Sequence, residues 1–396
     1  VPTKTLSEFS RQLKDIAKDL SFLATPRYPL VELTKLFPEH KGFLSELNDV
    51  STPFSIDLDE KRKLIDHYLK RLEHSDIPEY LKKIFTGRAQ DYYLITQMME
   101  SFGKPSFYDL CTKLYGSSNN SQKSTSLSSF VEQIDKICPE DLSHNFYAGE
   151  DALLYLKNKL SDTFDQKHFE VKASTSLLSD ASAGRKTFKL NMQKKYSENQ
   201  LNIFLAHEGW AHLGTSINGS LQEDHPWLGT WTPRITSLQE GLAVLCEIIS
   251  GHMTKGRWNK IILRHLATSM AEQGSSIKDV HSFLRHHQLE DLDAFKVTLR
   301  IFRGVPIEGG MSFTKELLYL HGLIKFLKHL DLYKPELKSF WIGKISFEEH
   351  SLLHLNTDLL QKNVFYFPKE LESTEAKQKL ESLRLLVNET FKNDFE

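Results

Sequence analysis

The chain has 396 residues, 40% of them apolar and 26% charged, with a net charge of −2, enough for a large core or for two or three subdomains. A near-neutral balance without a tight Lys/Arg block gives no reason to expect nucleic acid or an anionic membrane surface as a partner, and no apolar run approaches the roughly twenty residues of a membrane helix. Cys111, Cys138 and Cys246 form no C-x-x-C pair and Val1-Pro2-Thr3-Lys4 lacks a signal peptide's apolar stretch, so the expected compartment is the cytoplasm, with an earlier-removed leader left open.

The chain opens as successive amphipathic helices. Leu6, Phe9, Leu13, Ile16 and Leu20 keep a helical period, as do Leu64, Tyr68, Leu69 and Leu72. Prolines 26, 29, 38, 53 and 78 cut this region into pieces. The polar run from Gly116 to Thr125 reads as a surface loop or linker. The expected organisation is a helical region over 1–115, a polar linker over 116–129, a core over 130–335 and a helical C-terminal region over 336–396.

Near 168–193 the period changes to two. Residues 169–174 and 187–192 alternate apolar and polar, with small residues between Asp180 and Gly184 to turn the chain. Two antiparallel strands are expected, serving either as an edge for an extended peptide or as a cover for the next helix.

That helix starts at a capping box, Ser197-Glu198-Asn199-Gln200. Leu201, Phe204, Leu205 and Ala211 supply its buried face, and Gly214 is a natural terminator. Within it lies His207-Glu208-Gly209-Trp210-Ala211-His212. In the zinc-binding pattern H-E-x-x-H the histidines lie four apart on one face and the glutamate activates water. Here they lie five apart. At about 100° per residue, the second ring falls about 140° round an α-helix. Both reach one cation only if the helix widens, as in a π-bulge, which Gly209 would ease. The competing reading is a satisfied core histidine.

Catalytic zinc takes three protein ligands and keeps a fourth position open. The next predicted helix, 237–249, opens with Glu240, which is either the third ligand or, in Ser237-x-x-Glu240, a capping-box carboxylate. Glu247 is a supporting partner or substitute ligand, and the loop residues Glu223, Asp224 and His225 are a further alternative. Helices follow over 258–274, 277–287, 291–302, 313–330, 347–361 and 374–392, making the chain mostly α with one small sheet. His286 and His287 read as surface, and His350 and His354 as a solvated helix face.

Gln239-Glu240-Gly241-Leu242-Ala243 resembles the QEGLA signature of a family that includes bacterial flavohemoglobin-expression modulators and the microtubule-associated tyrosine carboxypeptidases. That family pairs the signature with an upstream H-E-x-x-x-H. Further likeness lies in Phe107-x7-Tyr115-Gly116, in Arg300 to Gly304, in Gly309 to Gly322 and in Trp341-Ile342-Gly343-Lys344-Ile345, spanning about residues 5–370. The resemblance implies an α+β, mainly α-helical fold with a zincin-like, gluzincin-type core and a small antiparallel sheet. It also implies one Zn²⁺ held by His207, His212 and Glu240, with Glu208 as general base. Tubulin is the substrate that the family suggests, but no stretch here resembles a microtubule-binding arm.

A peptidase needs a donor for the oxyanion, and a carboxypeptidase needs a cation for the substrate's terminal carboxylate. Tyr319 and His321 are the oxyanion candidates, unless they serve the helix core; Arg300, Arg303 and Lys315 are the carboxylate candidates, unless they pair with acids. The expected function is a zinc-dependent metallopeptidase that removes a C-terminal residue, tyrosine or another aromatic, from a protein or peptide. The alternative is a catalytically silent metal-binding regulator or scaffold of the same fold.

Overall fold

The structure, a computed structural model, describes residues 3–18, 20, 28–47, 56–118, 124–174, 177–356 and 365–392. Pro26, Pro53, the middle of the polar run at 116–125 and the end of the helix expected over 347–361 lie outside these residues. The described part is mostly helical, and none of its helices is long and apolar enough to cross a membrane.

One unit comprises Val1–Asn119, Asp224–Arg234 and Leu263–Leu317. Its first helix, Thr3–Ala17, buries Leu6, Phe9, Leu13 and Ile16 as the period requires. The helix Leu58–Glu73 starts where Asp57 accepts hydrogen bonds from the N–H groups of Asp59 and Glu60, both at 3.0 Å. Its buried stripe is Ile65, Tyr68 and Leu72, and Leu64, expected on that face, is 47% exposed. Ile65 completes the i, i+3, i+7 arc in its place. On Glu79–Glu100, the buried Arg88 donates to the carbonyls of Trp227 and Thr230 at 2.7 and 3.1 Å, fixing the inserted segment 224–234. Gly304 has φ +72°, and a Cβ there would come within 2.8 Å of Phe102 and Phe107. Only glycine fits that turn.

The other unit comprises Asn120–Glu223, Ile235–Ile262 and Leu318–Glu396. Among its described residues lie two small sheets: β1 (Phe146–Ala148) pairs antiparallel with β5 (Lys195–Ser197), and β2 (Glu170–Ser174), β3 (Ala181–Ala183) and β4 (Thr187–Asn191) lie in the order β2-β4-β3. β2 and β4, the two expected strands, are parallel, which corrects the antiparallel reading. The residues between them, read as a turn, form β3, and this strand is the antiparallel partner of β4. Alternation marks a half-buried strand but not its partner, and Ala-Ser-Ala carries no alternation to mark β3.

The capping box forms as expected: Ser197 Oγ accepts from Gln200 N–H at 3.1 Å, and Gln200 Oε1 from Ser197 N–H at 2.9 Å. The helices Ile235–Ile249 and Leu318–Tyr333 cross at glycine on glycine. A Cβ on Gly241 would fall 2.2 Å from the Gly322 carbonyl oxygen, and one on Gly322 would fall 2.6 Å from that of Ser237. The glycines of Gln239-Glu240-Gly241 and of Tyr319-Leu320-His321-Gly322 therefore set one backbone contact, and Glu240 sits beside it.

Candidate metal centre

Leu205–Leu213 is π-helical over nine residues, a longer widening than the single bulge expected. Its i→i+5 bonding brings residues five apart onto one side, and the rings of His207 and His212 stand 4.9 Å apart at 89°. Gly209 eases this by packing rather than by backbone freedom. It is not among the positive-φ glycines, and a Cβ there would come within 2.8 Å of Leu160 Cδ2. Gly214 does not end the helix: with φ −58° and ψ −48° it leads into Gly214–Ser220. A Cβ on it would meet Phe164 at 3.1 Å and Trp341 Nε1 at 3.3 Å, so close packing accounts for this glycine too.

Glu240 is buried on Ile235–Ile249, which starts two residues before Ser237, so Ser237 is not its N-cap. The carboxylate turns to the histidines. Its Oε2 lies 3.4 Å from His207 Nε2 and 3.7 Å from His212 Nε2. Tetrahedral zinc, with bonds of about 2.0–2.2 Å, separates its ligand atoms by about 3.4 Å. Two imidazole nitrogens and a carboxylate oxygen within 4.8 Å of one another thus fit one such ion. Glu223, Asp224 and His225 join no such group among the described residues.

Each ring is held from behind. The Nδ1–H of His207 donates to Glu247 Oε1 at 2.7 Å, leaving Nε2 for the centre. Arg257 grips the same carboxylate through Nε and Nη2, both at 2.8 Å. Burial opposes charge on Glu247, but Arg257 outweighs it and holds the carboxyl at about 2. Burial likewise opposes charge on His207, yet hydrogen bonds to Glu240 and Glu247 raise it to about 10. The pocket favours positive charge. His212 Nδ1 faces Gln239 Oε1 at 3.5 Å, and that oxygen also accepts from Thr215 Oγ1 at 2.9 Å and Lys344 Nζ at 2.6 Å. Lys344 also donates to the His212 carbonyl at 2.9 Å. Burial lowers this lysine to about 7, against the pull of Glu208 and Glu240.

Glu208 is not one of the three clustered ligands. It is half-buried, and its Oε2 accepts the Ala183 N–H of β3 at 2.8 Å. Tyr319, buried on Leu318–Tyr333, stacks on His207 at 5.9 Å and 22°. His321, on the same helix, is half-buried. Arg300, Arg303 and Lys315 belong to the other unit. There Arg300 Nη2 pairs with the buried Glu316 at 2.8 Å, and Arg303 Nε donates to Tyr28 Oη at 3.3 Å. Lys315 is half-buried on the turn Thr314–Leu317.

Sequence reasoning missed the supporting parts played by Arg257, Gln239 and Lys344. Gln239 and Lys344 each carried a signal, inside Gln239-Glu240-Gly241-Leu242-Ala243 and Trp341-Ile342-Gly343-Lys344-Ile345, and Trp341 Nε1 also donates to the Trp210 carbonyl at 2.8 Å. His350 was also misplaced. It is fully buried, accepting or donating between His329 Nε2 and Ser339 Oγ at 3.0 Å each, whereas His354 is exposed as expected.

No curated protein matches the sequence closely enough to count as a relative. The profile of one family does match, across residues 41–388, a span that contains the π-helix, Glu240 and every group supporting them. With the histidine–histidine–glutamate centre, that match supports a metal-binding, peptidase-like enzyme acting on protein or peptide, and the chain belongs to the microtubule-associated tyrosine carboxypeptidase family.

Proposed function

We propose that the protein is a zinc-dependent carboxypeptidase of gluzincin type, which removes a C-terminal residue, tyrosine or another aromatic, from a protein or peptide. The observation that carries this reading is the position of Glu208. It adjoins a three-ligand centre without joining it, and one of its oxygens is anchored by the Ala183 N–H. A purely structural zinc site takes four protein ligands and needs no such base.

His207, His212 and Glu240 would hold the ion, whose bound chemistry is Lewis acidity toward water and the scissile carbonyl. Glu208 takes a proton from the attacking water and delivers it to the leaving amine. The Ala183 N–H fixes the carboxylate's rotamer for both transfers. Tyr319, packed on His207, and His321 are the donors assigned to the oxyanion. Arg300, Arg303 and Lys315, the residues expected to bind the terminal carboxylate, belong to the other unit, where Arg300 pairs with Glu316 and Arg303 with Tyr28. The family's name couples tyrosine removal to microtubules; tubulin is thus one substrate to include in any screen. Three buried free thiols, Cys111, Cys138 and Cys246, agree with a cytoplasmic setting.

The test is Glu208→Gln, assayed by mass spectrometry on peptides with varied C-termini. Zinc content should be unchanged while turnover falls by about 10³-fold, within the usual range for a general base. Full activity in the variant would remove Glu208 from the mechanism. Cleavage at internal bonds, with intact C-termini, would remove the carboxypeptidase assignment.

A further inference from the structure

A second group of side chains able to hold a metal ion lies in the unit that does not hold the candidate centre. We propose that His40, His281 and Asp291 bind a second divalent cation, Zn²⁺ or another late first-row ion, in a structural role. The three side chains offer ligand atoms within 4.8 Å of one another, as His207, His212 and Glu240 do. His40 Nε2 lies 3.0 Å from Asp291 Oδ2, and His281 Nε2 lies 3.6 Å from Asp291 Oδ1. Both imidazole nitrogens are buried, and neither makes a hydrogen bond of acceptable geometry. Leaving two such nitrogens unsatisfied is costly, and one cation satisfies both together with the carboxylate.

The rings are aimed rather than loose. His40, 7% exposed on the turn Pro38–His40, stacks on Phe295 at 4.2 Å and 16°. His281 meets Phe37 edge-on at 5.1 Å and 77°. These contacts present Nε2 of each ring to Asp291. Two imidazoles and a carboxylate suit zinc, copper or nickel rather than calcium or magnesium. Asp291 is about half exposed, at 45%, so an ion enters from solvent and water completes the coordination. Arg285 competes for Asp291 Oδ1, with Nε at 3.1 Å, but its Nη1 is tied to the Leu289 carbonyl at 2.6 Å. Asp291 Oδ2 then serves the ion. The ion would join the turn at 38–40 to the helices Ile277–His286 and Asp291–Ile301.

The experiment counts zinc per chain by elemental analysis, after dialysis of the full-length protein against zinc and then buffer. Two equivalents are expected for the unsubstituted protein and one for His207→Ala/His212→Ala. None is expected when His281→Gln is added to that pair. Zinc should also raise the melting temperature of His207→Ala/His212→Ala and not that of the triple variant, with circular dichroism checking that each is folded. His281→Gln is chosen because it keeps volume at a partly exposed position, and Asp291→Asn serves as its replacement should it fail to fold. A single equivalent in the unsubstituted protein, lost entirely in His207→Ala/His212→Ala, would overturn the proposal.

Discussion

In the unit that carries the candidate centre, buried His207 and the buried pair His329 and His350 are driven in opposite directions by their surroundings. His207 lies against Glu240 and Glu247, and these carboxylates overcome burial to raise it to about 10. His350 and His329 lie against each other and Ser339. No carboxylate offsets burial there, which lowers them to about 2 and about 4. Burial is common to His207, His329 and His350, so it does not separate a metal ligand from a core histidine. Carboxylate company does.

The largest break in that comparison comes from Glu247→Ala. It strips His207 of its orienting acceptor and leaves Arg257 buried without its bidentate partner. Removing one member of such a pair costs about 3–5 kcal/mol, and zinc affinity should fall by up to about 100-fold. Denaturant unfolding and zinc competition titration measure the two; an unchanged affinity would show that Glu247 does not orient His207. Gly241→Ala sharpens the comparison by moving Glu240 while leaving His207, His329 and His350 chemically intact. Its Cβ would sit 2.2 Å from the Gly322 oxygen, so the two helices must separate at a cost of about 3 kcal/mol. Thermal melting should show that loss, with zinc binding weakened alongside it.

Gln239→Ala tests the weaker arm. It removes an amide oxygen facing His212 at 3.5 Å, so about a tenfold loss of zinc affinity is expected, well short of Glu247→Ala. A loss as large as that of Glu247→Ala would erase the distinction between a charged and a neutral support. The smallest effect is the pH response of the buried pair. Because His329 and His350 are depressed in the fold, they stay neutral while the unfolded chain takes up protons below about 6.5. Their stability contribution is complete above that pH and declines as pH drops toward about 4 for His329 and about 2 for His350, by about 1 kcal/mol per histidine at pH 6. His350→Gln should flatten the slope in a pH series of denaturant melts; an undiminished slope would place the protonation elsewhere.

These particulars also mark what the sequence could carry. The capping box at Ser197 and the five-residue histidine spacing were legible because both are local, and the spacing called for a widened helix only if both rings were to reach one cation. Glu240 was legible only as one of two uses, until the helix start at Ile235 removed the capping role. Gly214 misled because a glycine after a helical run is a common terminator, while its packing on Phe164 and Trp341 depends on residues far away in the chain. The parallel pairing of β2 with β4, the burial of His350 and the grip of Arg257 and Lys344 are likewise long-range, and no periodicity reports them.

Zinc binding in a His281→Gln background probes the convergence of His207, His212 and Glu240 without interference from the second cluster. Elemental analysis should give one equivalent per chain, retained in Glu208→Gln and lost in Glu240→Ala. An equivalent that survives Glu240→Ala, or none bound from the outset, would contradict a centre built from those three side chains.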